Sequence, residues 1–223
     1  MSAYTPRPTI ERITLADDPE CWRALGFTVE DAAVQLGAVR LELAGPSAGR
    51  GIFGWSLRGV SSTDLDGLPT TISHTPPPRA RPFEPNTEHP NGIAAIDHVV
   101  AMSPDLDRSV RALQAAGLDL RRIRDQPTPA GAPRQAFFRL GEVILELVQE
   151  PEEALAARPD GAERSARFWG LALLSDDLEQ TLARLGEHAS EARAAVQPDR
   201  RIATLRRSAG LAVPVALMSR AVV

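Results

Sequence analysis

The strongest constraint on this chain is that it repeats itself. Leu36-Gly37-Ala38-Val39-Arg40-Leu41-Glu42-Leu43 and Leu140-Gly141-Glu142-Val143-Ile144-Leu145-Glu146-Leu147 agree at the leading Leu-Gly, at the valine and at the closing Leu-Glu-Leu. Similarity of this kind points to one supersecondary unit copied along the chain, so the fold is to be sought as a set of like modules. The copy over residues 93–150 is complete. Ile96-Asp97-His98-Val99-Val100-Ala101-Met102 reads as a buried strand, and Ser103-Pro104-Asp105 caps a helix over 106–116 that Gly117 stops. A second strand follows over 118–124, then a Pro/Gly-rich loop over 126–133. Residues 134–140 and 142–148 form a hairpin about Gly141. The order is βαβββ.

The other copies are worn. Residues 10–16 match the first strand, with Arg12 in the place of His98, and a short helix over 17–25 ends at Gly26. Glu42 then falls on Glu146, and the segment between Phe27 and Val34 is too short for a full second strand and loop. Residues 51–60 read as another strand with a cap-like Ser61-Ser62-Thr63-Asp64-Leu65-Asp66, but Gly67-Leu68-Pro69 prevents a helix, leaving a vestigial module start. Residues 67–92, which include Pro76-Pro77-Pro78, are expected to be a semi-rigid linker with His74 and His89 solvated. In the last copy, over 166–223, Phe168-Trp169-Gly170-Leu171-Ala172-Leu173-Leu174 is a strand and Asp176-Asp177-Leu178 caps a helix to about Leu185. Its hairpin is expected over 201–207 and 211–218. Aligning the caps sets Gly170 opposite His98, and aligning the last strands sets Ala216 opposite Glu146. The chain thus divides into 1–66, 67–92, 93–150 and 166–223.

Composition narrows the chemistry. A formal net charge of −4 gives no electrostatic case for nucleic acid or an anionic membrane. No apolar run reaches membrane-spanning length and the N-terminus has no apolar signal core, so a cytoplasmic location is expected. All 25 basic residues are arginine, which excludes a Schiff-base or phosphate-loop lysine. The single cysteine, Cys21, excludes an intramolecular disulfide and a Cys-cluster zinc site.

Strand alternation selects the candidate residues. Val143, Leu145 and Leu147 form one apolar face of the last strand; Glu142, Ile144, Glu146 and Val148 form the other. His98 and Val100 share a face of the first strand. An imidazole and a carboxylate set among apolar residues on adjoining strands suit a first-row metal, or else a buried His–Glu pair that holds the sheet together. Gln135, Phe137 and Arg139 lie opposite Ala136, Phe138 and Leu140. Arg139 and its counterpart Arg206 either bind a carboxylate, phosphate or enolate, or are rim arginines paired with nearby acids.

The repeated modules, together with Ile-Asp-His-Val-Val followed by Ser-Pro-Asp-Leu-Asp and with Gly-Glu-Val-Ile-Leu-Glu-Leu-Val, resemble the vicinal oxygen chelate superfamily of glyoxalases, bleomycin-resistance proteins and extradiol dioxygenases. The resemblance implies an α+β fold in which βαβββ modules form a cupped mixed sheet with helices outside. It also implies a divalent metal (Zn, Fe, Mn or Ni) held from first and last strands, matched here by His98, Glu146 and Glu42. One function that follows is a metal-dependent lyase, isomerase or dioxygenase acting on a small oxygen-rich or anionic substrate. Glu146 would be its base, and Gln135, Phe137, Arg139, Trp169 and Arg206 would contact substrate. The alternative is a metal-free small-molecule binding or sequestering protein, in which His98 and Glu146 hydrogen-bond the ligand. A homodimer is expected in either case. The resemblance implies three or four ligands across two paired modules. Pairing the second and third copies supplies only His98 and Glu146, since both ligand positions are lost in the third. Pairing the first and second adds Glu42, with Arg12 at the remaining position.

Overall fold

A computed structural model of the chain describes residues 7–76, 89–128 and 131–221. The stretch 77–88 of the expected linker lies outside the described residues. The first module comprises β1 (Thr9–Leu15), α1 (Pro19–Ala24), β2 (Ala33–Leu36) and β3 (Val39–Leu43), followed by β4 (Ile52–Arg58) and β5 (Thr70–Ile72). The second runs β6 (Ile93–Ser103), α2 (Leu106–Ala115), β7 (Asp119–Arg124), β8 (Gln135–Leu140) and β9 (Val143–Gln149). After α3 (Glu152–Ala156) come β10 (Arg167–Ser175), α4 (Leu178–Leu185), β11 (Arg193–Ala194), β12 (Arg201–Thr204) and β13 (Val215–Ser219). The strands form two open mixed sheets, β2-β3-β1-β4-β5 and β11-β12-β13-β10-β6-β9-β8-β7. The architecture is α+β.

Two compact units emerge, each drawing on several modules. The first holds residues up to Glu11, Gly54–Thr75 and His98–Trp169; the second holds Arg12–Phe53, the described residues before His98, and Gly170 onward. In the first unit α2 is capped by Asp105, whose carboxylate accepts from Arg108 N at 2.9 Å. Its Leu106, Val110 and Leu113 are buried, as are Val99, Ala101, Ala136, Phe138, Leu140, Leu145 and Leu147 on the sheet. Each of the valine, leucine and phenylalanine side chains contributes about 1.5–3 kcal/mol of burial free energy, which fixes the β6–β9–β8 register against the helix. Asp66, between β4 and β5, accepts from Arg108 Nε at 2.9 Å and from Ser109 Oγ, tying this loop to α2. β5 lies within the segment expected to be linker, paired parallel to β4 through Trp55 and Thr70. Trp55 Nε1 donates to Thr70 Oγ1 at 2.7 Å, a side-chain bond that holds so short a strand in place.

In the second unit α4 repeats the design of α2. Asp177 caps it by accepting from Gln180 N at 3.0 Å, and Leu178, Thr181 and Leu185 are buried. The buried Asp17 carboxylate accepts from Trp22 Nε1 at 3.1 Å and from Ala212 N at 2.6 Å. Burial raises its pKa above the ordinary aspartate value despite those donors. His89 is not solvated as expected: it is 3% exposed and packs edge-on to Phe27. Its Nδ1 accepts from Thr28 N at 3.2 Å, so Nε2 carries the proton directed at Gln35 O, 2.8 Å away. The third hairpin is shorter than the sequence suggests, with β12 ending at Thr204 and β13 starting at Val215. Pro214 offers no amide to a ladder, and Gly210 turns with φ +74.

Candidate functional site

The three copies place equivalent residues in one register. First and last strands run parallel in each, with Thr14 opposite Glu42, Val100 opposite Glu146 and Ala172 opposite Ala216. Two residues earlier on the first strands stand Arg12, His98 and Gly170. These three pairs of positions have diverged. In the first copy Arg12 Nη1 meets Glu42 Oε1 at 3.1 Å, a half-exposed ion pair. In the second, His98 Nε2 lies 3.3 Å from Glu146 Oε2, with side chains 12% and 16% exposed. The third has no side-chain donor at either position. Its backbone has closed over the gap: a Cβ on Gly170 would stand 2.6 Å from Pro214 O.

Register then gives the surroundings of the His98–Glu146 pair. Phe137 faces Glu146, Gln135 faces Val148 and Arg139 faces Ile144 across β8 and β9. With His98, Val100 and Met102 of β6, these residues line the side of the sheet turned away from α2. Gln135 Nε2 donates to Glu146 Oε1. A polar chain of His98, Glu146 and Gln135 therefore crosses three strands diagonally, one carboxylate oxygen serving each neighbour. Val100, Ala132 and Val148 are buried beside it, with Met102 packed against them. Arg122 on β7 lies over the Phe137 ring, its Cζ 5.0 Å from the centroid, a cation–π contact.

Within the first unit Arg139 and Trp169 are not gathered with this chain, and Glu42 and Arg206 belong to the second unit. Arg139 is exposed; its Nε donates to Gly141 O and its Nη2 reaches Glu142 Oε2 at 3.4 Å, so the tight Gly141 turn captures the guanidinium. Trp169 is 48% exposed, and alternation sets it on the side of β10 opposite Gly170 and Ala172. Arg206 follows β12, where its Nη1 donates to Glu187 O at 3.3 Å. It lines a surface cavity of about 580 Å³ with Glu179, Leu182, Ser190 and Arg201. Glu42 belongs to the second unit, with Arg12 as its partner. Sequence reading passed over Met102, Ala132 and Arg122. For Met102 the signal was present, since it continues the alternation of His98 and Val100.

A divalent metal is common among proteins of the kind this chain resembles, so the donor set has to be tested against one. Among the described residues no group of three or more His, Cys, Asp or Glu side chains is placed to hold an ion. His98 Nε2 and Glu146 Oε2 are two donors, Glu146 Oε1 is engaged by Gln135, and the third copy supplies none. The described residues do not fit a site of three or four protein ligands.

A family model and one solved structure that spans nearly the whole chain support the same architecture. The family model described as the glyoxalase/bleomycin resistance protein/dioxygenase superfamily matches residues 95–211, more than half of the chain. No curated protein matches it. Among solved structures, a xylose isomerase-like TIM barrel/4-hydroxyphenylpyruvate dioxygenase fusion protein aligns with 98% of this chain and 50% of its own, at 14% identity and a TM-score of 0.58. The chain thus spans about half the length of that protein. Methylmalonyl-CoA epimerase from Mycobacterium tuberculosis aligns with 59% of this chain and 91% of its own, at 19% identity and a TM-score of 0.47. A single-residue variant of the Streptomyces coelicolor methylmalonyl-CoA epimerase, in complex with 2-nitronate-propionyl-CoA, aligns with 58% of this chain and 99% of its own, at 20% identity and a TM-score of 0.45.

Proposed function

Because the chain belongs to the glyoxalase/bleomycin resistance protein/dioxygenase superfamily, we propose that it binds a small organic molecule on the His98–Glu146–Gln135 face without a resident metal. The observation that carries this reading is the loss of the third copy's ligand positions, where Gly170 has no room for a side chain beside Pro214 O at 2.6 Å. A polar triad bordered by Val100, Met102, Val148 and Phe137 has the composition of a small-molecule site: a few directional groups in apolar surroundings. His98 and Glu146 orient the ligand by hydrogen bonds, and apolar burial supplies most of the affinity.

A metal-dependent enzyme is the second reading. It is favoured by the 3.3 Å approach of His98 Nε2 to Glu146 Oε2 from neighbouring strands, with both ligand types retained in one module. Thermal-shift measurements with apolar aromatic compounds and with Zn²⁺, Mn²⁺, Fe²⁺ and Ni²⁺, on wild type and His98→Ala, separate the two. A ligand at 100 times its Kd stabilises the protein by about 2.7 kcal/mol. Stabilisation by organic compounds that His98→Ala weakens, with no response to any ion, supports the proposal. A response to a divalent ion that His98→Ala abolishes, with none to the organic compounds, overturns it.

A further inference from the structure

Gln135 is 7% exposed, and its amide is only half satisfied. Nε2 donates to Glu146 Oε1, which fixes the orientation of the group, since the flipped amide would set oxygen against a carboxylate. Oε1 is then buried with no hydrogen-bond partner among the described residues. Buried acceptors are nearly always paired, and an exception at a candidate site asks what partner is missing. The residues around it do not supply one. Val148 lies directly across the ladder, and Val100, Ala132 and Met102 continue the apolar surface.

We infer that Gln135 selects the ligand, favouring a molecule that presents an O–H or N–H donor at the edge of an apolar body. This deepens the proposed function and rests on it. A donor directed at β8 completes the amide. A molecule presenting only an acceptor at the same place meets two acceptors, Gln135 Oε1 and the Glu146 carboxylate. An apolar molecule leaves Oε1 unpaired. A site built around such a group discriminates against a ligand lacking the matching donor more strongly than an apolar pocket discriminates by size.

Three isosteric probes isolate the effect: indole carries an N–H donor, indene a CH₂ in its place, and benzofuran an acceptor oxygen. Their affinities for the full chain are measured by titration of backbone amide resonances in wild type and in Gln135→Leu, which removes the amide at similar volume. In wild type indole binds roughly 10-fold or more tightly than indene or benzofuran, with shifts on β6, β8 and β9. In Gln135→Leu that preference falls to within about twofold, while the folded spectrum is retained. Equal affinities in wild type, or an indole preference that survives in Gln135→Leu, overturn the selection by Gln135 and leave the binding site standing. Absence of shifts on these strands with all three probes overturns the site and the selection together. If Gln135→Leu fails to fold, Gln135→Met serves in its place, with the same outcomes.

Discussion

Replacing Gly170 by alanine tests whether the third copy has closed over its ligand position. The added Cβ would stand 2.6 Å from Pro214 O and 3.3 Å from Pro214 Cβ. Carbon–oxygen contacts settle at about 3.3 Å or beyond, so the methyl overlaps the carbonyl by about 0.7 Å. That carbonyl is held, because it accepts from Leu171 N at 3.0 Å, and Leu171 is in turn registered against Val215. Relief therefore means moving a strand or losing a ladder bond, a cost of about 1–3 kcal/mol. Removing a glycine from a strand returns up to about 1 kcal/mol. The net expectation is a loss of about 1–2 kcal/mol, or a fall in Tm of roughly 2–8 °C for a chain of this size. Urea unfolding followed by circular dichroism measures it, with Gly54→Ala as the control. A Cβ at Gly54 meets Pro69 O at an ordinary 3.5 Å, so that variant loses nothing. Gly170→Ala as stable as wild type, or less harmful than Gly54→Ala, refutes the reasoning.

Other expectations follow from the same structure. Glu150 is buried, which pushes its pKa up, but Arg164 at 2.7 Å and Arg167 at 3.2 Å, with Arg158 beyond, outweigh this and hold it below the ordinary glutamate value of 4.5. A carboxylate depressed by folding contributes stability that is present above its unfolded pKa and lost as pH falls through the lower folded one. Glu150→Gln thus costs about 1–3 kcal/mol near neutrality and flattens the acid limb of the stability profile below about pH 4.5, readable from urea midpoints between pH 3 and 7. Glu11, lowered in pKa despite burial by bonds to Ser73 and Ser56 and by Arg58, contributes to the same limb with the same sign. His89→Phe keeps the ring but removes the acceptor of the Thr28 N–H bond and the donor to Gln35 C=O, costing about 1–3 kcal/mol in the same assay, whereas a solvated histidine would cost almost nothing.

The repeat was legible because its signal is local. Alternating residues in β9 and the Asp caps of α2 and α4 are written in a few neighbouring positions, and the parallel registers of the three copies follow from them. His98 and Glu146 were legible for the same reason, since each interrupts an apolar strand on a face that can be counted. What lay outside local pattern was not. His89 is buried by partners 54 and 61 positions away, and nothing in His89-Pro90-Asn91-Gly92 distinguishes such a residue from an exposed one. β5 has only three residues, too few to show alternation, and depends on its side-chain bond to Trp55. Arg139 has the parity of a site residue but a side chain long enough to fold back onto Gly141 O, and parity says nothing about where a flexible chain ends. Gln135 was found by parity, while its unsatisfied oxygen became visible only with its neighbours in place.

The most direct test of the central claim is a crystal structure from protein grown with Zn²⁺ or Mn²⁺ and an indole-like ligand, phased to give an anomalous difference map at the metal edge. Ligand density is expected on the β6–β9–β8 face, with no anomalous peak between His98 Nε2 and Glu146 Oε2. A peak about 2 Å from both of those atoms contradicts the claim.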